Sequence, residues 1–441
     1  MFKQLFFFIF IFLIFFETEA SSKKKTSSLV KLIDTTLFEG LKYQKYKVGE
    51  RQNQFIANVL RLDLNNRNLS LDILKSNNLY NHVSKINEII RYNDSINNKY
   101  TIAAINANFW KAYSNKPIGT LIKNGKVIEL KSYKEWSSIF FDENNIPYID
   151  NFKVNCILEI NKKKYNISEF NSRKDSNQIV IYNSFAGKSI PFINGYDIEN
   201  TYKQLLFEKA LLETYDDSTE SDIEFNNLLE IAKNLELNKS IENKINKILL
   251  TKINDETINS PVKFIVEKID TGIIDLNENQ HIISPGLNNY LFEYPKLNDT
   301  VSITIHTNYL QDKIFINALT GTPRLVRNGK AVNEAKKEGL KSKRFIYRKL
   351  ARTVFGVDKN KKEIILVTIP TKSLNNMSNG ANLSQLATFM KLIGAYNAIN
   401  LDGGGSSMMI INGFNIDNPI ITNMTRRISG AIGIRINKGE K

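Results

Sequence analysis

Asn400-Leu401-Asp402-Gly403-Gly404-Gly405-Ser406-Ser407, followed by Met408-Met409-Ile410-Ile411, is the stretch that sets the reading of this chain. One carboxylate is followed at once by three glycines and two hydroxyls, with apolar runs on both sides. The local pattern is strand, open loop, strand. Glycine has no side chain and tolerates positive φ, so this backbone can approach a ligand closely with its N–H groups exposed. Asp402 would then stand at the end of a buried strand. Such a place suits an anion, a sugar hydroxyl or a metal beside a carboxylate. The plainer alternative is a glycine-rich hairpin with a solvated aspartate.

Working outward, residues 383–392 have helical spacing, with Leu386, Phe389, Met390 and Ile393 as the apolar stripe. Asn382 is the expected N-cap and Gly394 the C-terminal stop. Ser378-Asn379-Gly380-Ala381-Asn382 precedes that helix, so an amide-rich loop, a helix N-terminus and the glycine loop are expected to share one anion-binding pocket. Further upstream, Asn106-Ala107-Asn108-Phe109-Trp110 closes a strand with two amides beside two aromatics. It reads either as polar ligand contacts with a stacking face or as an Asx-turn over core rings. Thr320-Gly321-Thr322 lies in a small-residue loop. Arg352 stands in the otherwise apolar run 351–357, where a buried guanidinium needs an anion, either a structural ion-pair partner or a substrate phosphate.

Alternating apolar residues over 55–64, 69–74 and 301–306, and the Asn124-Gly125 turn between apolar runs, indicate strands and hairpins. Residues 83–92 have helical spacing. The expected class is α+β, with strand-rich mixed sheets, a few packed helices and a helical insertion. That insertion spans about 198–257, which lacks glycine and proline; Leu205, Leu206, Leu228, Leu229, Ile241, Ile245, Ile248 and Leu249 fall at helical intervals. Residues 1–20 read as a secretory signal, with Lys3, an apolar run over 5–16 and a cut after Ala20; an uncleaved anchor is the alternative. Residues 21–40 read as a basic linker and 41–441 as one domain carrying the insertion. The chain is thus expected to be secreted or held at the cell envelope.

Of the 441 residues, 60 are Lys or Arg and 45 Asp or Glu, a net charge of +15. That balance favours an anionic partner, and a membrane or cell-wall surface could supply one. No zinc-finger spacing or basic-aromatic array appears, which argues against nucleic acid. The single cysteine, Cys156, lies in an apolar run and reads as a buried strand residue; it has no partner for a disulfide. No cofactor is implied, a divalent cation beside Asp402 being the alternative.

Five segments in order resemble the phosphodiester glycosidase family, whose bacterial members are often described as exopolysaccharide biosynthesis proteins: 106–109, 321–330, 352–356, 378–383 and 400–407. Residues 429–434 also fit, and the resemblance covers roughly 55–436 apart from the insertion. Two departures stand out. Ala107 replaces a glycine, and the loop before Pro323 reads Thr-Gly-Thr where relatives carry more glycine. The resemblance implies a secreted hydrolase acting on a sugar-1-phosphodiester or a related envelope glycan, or a glycan-binding protein built on the same pocket.

For the hydrolase, the expected roles are these. Arg352 clamps phosphate as a bidentate donor. The N–H groups of Thr320, Gly321, Thr322, Gly403, Gly404 and Gly405 stabilise charge. Asp402 is nucleophile or general base. Asn106 and Asn108 orient sugar hydroxyls over Phe109 or Trp110, and Thr353, Ser406 and Ser407 assist. A second carboxylate, usual in glycoside hydrolysis, is sought at Glu129, Asp142, Glu334 or elsewhere in the chain.

Overall fold

The computed structural model describes residues 29–50, 53–112, 114–167, 169–173, 175–191, 241–371, 378–418 and 425–437. The signal segment and most of the expected insertion, 198–240, lie outside them. The described chain is strand-rich with few helices, in the α+β class expected.

The first sheet has eight antiparallel strands in the order Leu29–Phe38, Leu41–Val48, Phe55–Asp63, Glu363–Ile369, Arg352–Val357, Asn397–Asn400, Arg324–Arg327 and Lys330–Ala331. A second sheet has Tyr100–Asn106 at its centre, between Met409–Ile411 and Gly430–Ile436. The two sheets face each other. Leu60, Phe355 and Ile399 of the first share a core with Ile105, Met409 and Ile432 of the second. Helix Leu383–Leu392 covers the other face of the first sheet, placing Leu386, Phe389 and Met390 against Val354 and Val367. Helix Ile86–Asn97 covers the second through Ile86 and Ile89. The result is a helix–sheet–sheet–helix stack.

A third sheet, centred on Phe315–Thr320, packs on a fourth of eight strands through Phe140, Phe315, Leu158 and Ile303. Strand Thr300–Thr307 shows why: Val301, Ile303 and Ile305 alternate inward, as the two-residue period of a strand requires. Cys156 is buried in strand Val154–Ile160 of that sheet. The Asn124-Gly125 turn takes positive φ at both positions between strands Leu121–Lys123 and Lys126–Glu129.

Two expectations are corrected. From Leu29 the supposed linker is a strand, held by main-chain pairing to Leu41–Val48 across a turn at Gly40, with most of its side chains exposed. Such a strand leaves little trace in a burial pattern. The end of the supposed helical insertion is likewise a strand, Lys247–Lys252, lying between Val262–Asp270 and Gln280–Ser284. A central strand reads as a continuous apolar run, and over Ile248-Leu249-Leu250 that run also satisfies helical spacing.

Candidate functional site

The glycine stretch is the crossover between the two facing sheets. Strand Asn397–Asn400 of the first sheet passes through residues 401–408 into strand Met409–Ile411 of the second. Its middle, Gly404–Ser406, forms one 3-10 turn. Asp402 is half-buried, and its Oδ1 accepts from the Gly403 N–H at 2.9 Å. A Cβ on Gly403 would stand 2.9 Å from the Ala351 carbonyl oxygen, so only glycine lets the loop lie this close to the Arg352 strand. Gly404 N–H donates to that same carbonyl at 2.9 Å.

Asn106, at the end of its strand, fastens the loop from the second sheet. Its Nδ2 donates to the Asp402 carbonyl at 2.7 Å, while its Oδ1 accepts from Thr353 Oγ1 at 2.6 Å and from Met408 N at 3.1 Å. Ser407 Oγ lies 2.7 Å from Thr353 Oγ1. Because the Thr353 hydrogen is directed to Asn106, Ser407 is the donor of that pair. The structure therefore brings Asn106, Thr353, Asp402, Gly403 and Ser407 together, but it gives Asn106 and Thr353 a fastening role. Three of the four hydrogen-bonding positions of the Asn106 amide are filled by protein, against the sugar-orienting role expected of it. Asn108 differs. Its Nδ2 donates to Phe109 O at 3.1 Å, and its buried Oδ1 has no partner among the described residues. Ser406 is buried within the turn.

The Thr320–Thr322 loop is adjacent but its N–H groups are spent. Thr320 N–H donates to Thr120 O, Gly321 N–H to Ser137 O and Thr322 N–H to Asn400 O, at 2.8–3.1 Å. Their expected role in stabilising a phosphate is corrected accordingly: a bound phosphate would have to displace structural carbonyls. Gly404 N–H likewise donates to the Ala351 carbonyl, and Gly403 N–H is taken by the Asp402 carboxylate. Of the six N–H groups, that of Gly405 alone donates to no acceptor among the described residues.

Arg352 is also reassigned. Its side chain is buried; Nε donates to Ala381 O at 3.0 Å, and Nη2 donates to Phe345 O at 2.7 Å and Arg348 O at 3.2 Å. The guanidinium lies 5.0 Å from the Phe345 ring, and burial holds its pKa down to about 10. Among the described residues no carboxylate pairs with it. With Nε and Nη2 committed, it cannot present the two-nitrogen fork of a bidentate clamp. It instead secures helix Lys343–Tyr347 and the loop before helix Leu383–Leu392. That second helix is capped as expected, Asn382 Oδ1 accepting from Gln385 N at 2.9 Å.

Phe109 is half-buried, edge-on to Trp136 at 5.3 Å and to Phe345 at 6.3 Å. Trp110 is half-buried too, and Arg426 covers its ring at 5.3 Å from the centroid. Arg426 was not singled out from the sequence, where Arg426-Arg427 merges with a generally basic composition. Glu338 was missed as well. It is buried, and it accepts from Ser137 Oγ at 2.8 Å, Thr322 Oγ1 at 2.7 Å and Arg324 N at 2.8 Å; burial raises its pKa. The three carboxylates proposed from sequence are occupied elsewhere. Glu334 pairs with Arg327, Asp142 caps its own turn, and Glu129 accepts from Lys131 N. Among the described residues no three His, Cys, Asp or Glu side chains gather as a metal site.

Residues 264–435, which include Arg352, the glycine stretch and Arg426, match the family model for phosphodiester glycosidase. The N-acetylglucosamine-1-phosphodiester alpha-N-acetylglucosaminidases of Bos taurus and Mus musculus are each 32% identical over 125 residues, covering 25% of this chain and 23% of the relative. The chain thus spans less than a quarter of those relatives' length. In fold, a hypothetical protein from Synechocystis superposes with a TM-score of 0.61 at 19% identity, over 92% of this chain and 63% of that one. A Burkholderia pseudomallei protein described as exported superposes with a TM-score of 0.57 at 12% identity, over 93% of this chain and 97% of that one. Over residues 264–435 the chain is thus similar to the phosphodiester glycosidase family.

Proposed function

We propose that this protein is a glycosidase-type hydrolase that cleaves the anomeric C–O bond of a sugar-1-phosphodiester, such as a linkage in an envelope glycan or exopolysaccharide. The observation that carries this reading is the fixed, half-buried Asp402. Its carboxylate accepts from Gly403 N–H, its carbonyl accepts from Asn106, and it stands on the crossover between two packed sheets. A carboxylate held in this way is suited to meet developing positive charge at an anomeric carbon. The phosphate leaves with the anomeric oxygen and the bonding electron pair, as a phosphomonoester. Water supplies the hydroxyl that ends on the sugar. A phosphate leaves readily, so the reaction does not demand a strong general acid, which accords with the placement of Glu129, Asp142 and Glu334 in other interactions.

Asp402 has two routes: attack on the anomeric carbon, or activation of water. Retention of anomeric configuration in the released sugar marks the first and inversion the second. Asn108, with its acceptor oxygen, and the half-buried ring of Phe109 remain the sugar-facing groups in this reading. The net charge of +15 suits an anionic glycan. An exported location is part of the proposal, supported by the composition of residues 1–20 and by the structural neighbour described as exported. Among the described residues, no helix is long and apolar enough to cross a membrane.

The test is a panel of sugar-1-phosphodiesters and wall polymers scored by released reducing sugar. Wild type should cleave at least one. Asp402→Asn should fold normally and lose about 10²- to 10⁴-fold in kcat, the usual contribution of a carboxylate in this role. An equally active Asp402→Asn would overturn the assignment. Diester binding by the wild type without turnover would make the protein a glycan-binding module.

A further inference from the structure

We propose that Arg426 is the residue that recognises the anionic phosphoryl group, an assignment that rests on the phosphodiester reading above. Two contacts place it. Its guanidinium carbon lies 5.3 Å from the centroid of the Trp110 ring. Its side chain also reaches the glycine loop: a Cβ built on Gly405 would stand 3.6 Å from its Cδ and 3.9 Å from its Nη1. The loop is exposed at Gly404 and Gly405, and Arg426 is half-buried beside it.

The chemistry at this spot matches a phosphodiester oxygen. A guanidinium lying on an indole face is planar, weakly hydrated and limited in its rotamers, so little order is lost when it binds an oxyanion. Beside it the Gly405 N–H, which donates to no acceptor among the described residues, offers a second donor from a rigid backbone. Arg352 cannot take this part, because Phe345, Arg348 and Ala381 carbonyls hold its Nε and Nη2. The two arginines thus divide the work: Arg352 orders the segments behind the loop, and Arg426 faces the substrate at its exposed turn. Asp402 lies three residues before Gly405 on the same loop, so the proposed anion site and the carboxylate share one short segment.

The experiment compares wild type, Arg426→Lys and Arg426→Ala on two substrates of one sugar: its 1-phosphodiester and its uncharged nitrophenyl glycoside. Thermal unfolding checks that each variant is folded. Calorimetric binding of inorganic phosphate and of the sugar 1-phosphate is measured in parallel. Arg426→Ala should lose about 10- to 100-fold in kcat/KM on the diester, as expected for a lost charge-assisted hydrogen bond, and a similar factor in affinity for both phosphates. Its activity on the nitrophenyl glycoside should change by less than about threefold. Arg426→Lys should fall between, since it keeps the charge without the planar stack. Unchanged phosphate affinity and diester kinetics in Arg426→Ala overturn the proposal, as does an equal loss on both substrates. A wild type that binds phosphate through Arg426 but cleaves no diester overturns the hydrolase reading alone. A wild type that binds neither phosphate overturns this one.

Discussion

The Thr353 hydroxyl donates to the side-chain oxygen of Asn106 at 2.6 Å, joining residues 247 positions apart in sequence. One lies on the first sheet and the other on the second, and the bond closes directly beneath the loop that carries Asp402. The position of the carboxylate therefore depends on how the two sheets are fastened at this point.

Asn106→Ala removes three hydrogen bonds at once, from Thr353 Oγ1, from Met408 N and to the Asp402 carbonyl. Buried polar groups left without partners cost about 1–3 kcal/mol each, partly offset by relaxation and water. Chemical denaturation should show a loss of about 2–4 kcal/mol. A loss below about 0.5 kcal/mol would mean that the loop is held by other contacts.

Arg352→Met should behave as a stability variant. It removes a guanidinium that three backbone carbonyls accept from, and the midpoint of unfolding should fall by an amount equivalent to about 2–4 kcal/mol. In the folded fraction, KM for a phosphodiester should move by less than about threefold. A large rise in KM with unchanged stability would return Arg352 to the role of phosphate clamp.

Asp417 gives the fold a pH signature. It accepts from Asn58 Nδ2 at 2.7 Å and Thr368 Oγ1 at 2.8 Å, and burial pushes its carboxyl up to about 6. An unfolded aspartate titrates near about 3.9. The folded state therefore keeps this proton where the unfolded chain has lost it. The resulting stabilisation is full below about pH 4 and is lost as pH rises through about 6, on the order of 3 kcal/mol in all. His82 acts in the opposite sense. Burial and the nearby Lys75 hold it down to about 4, so its contribution is present above about pH 6.5 and lost as pH falls through about 4. Comparing Asp417→Asn with wild type at pH 4 and pH 7 isolates the first effect. The stability difference should shift by about 3 kcal/mol in favour of the variant at pH 7. An unchanged difference would show that Asp417 titrates normally.

Glu338→Ala should loosen the Thr320–Thr322 loop. It leaves Ser137 Oγ, Thr322 Oγ1 and Arg324 N without their acceptor, at a cost of about 3 kcal/mol. Glu338→Gln keeps one of the two oxygens and should cost less than half as much. Hydrogen exchange at Arg324 N–H is the local readout, and unchanged protection in Glu338→Ala would refute the assignment.

What could be read from the sequence follows from the range of the interactions involved. The Leu383–Leu392 helix, its Asn382 cap and the Asn124-Gly125 hairpin are written in residues a few positions apart, and they stand as expected. The residues gathered around Asp402 also included the expected Asn106, Thr353 and Ser407. Their roles were not legible, because a role depends on which donors and acceptors are already satisfied. The N–H groups of Thr320–Thr322 looked available only because Thr120, Ser137 and Asn400 are remote in sequence. Arg426 and Glu338 gave no local signal, since each gains its meaning from a neighbour across the fold: Trp110 for the one, Ser137 for the other.

The crossover at 401–408 also fixes how many glycines the chain requires. Met409 and Ile411 fill the space between the sheets, while Met408 and Ile410 face the helix side, and Met409 is paired with Ile105. Deleting one glycine from 403–405 would force one of two outcomes. The shortened loop would drag Asp402 away from Asn106, or the following strand would slip by one position and bring Asn412 to the place Ile411 now fills. The length of this loop is therefore constrained by folding itself, whatever chemistry the loop carries.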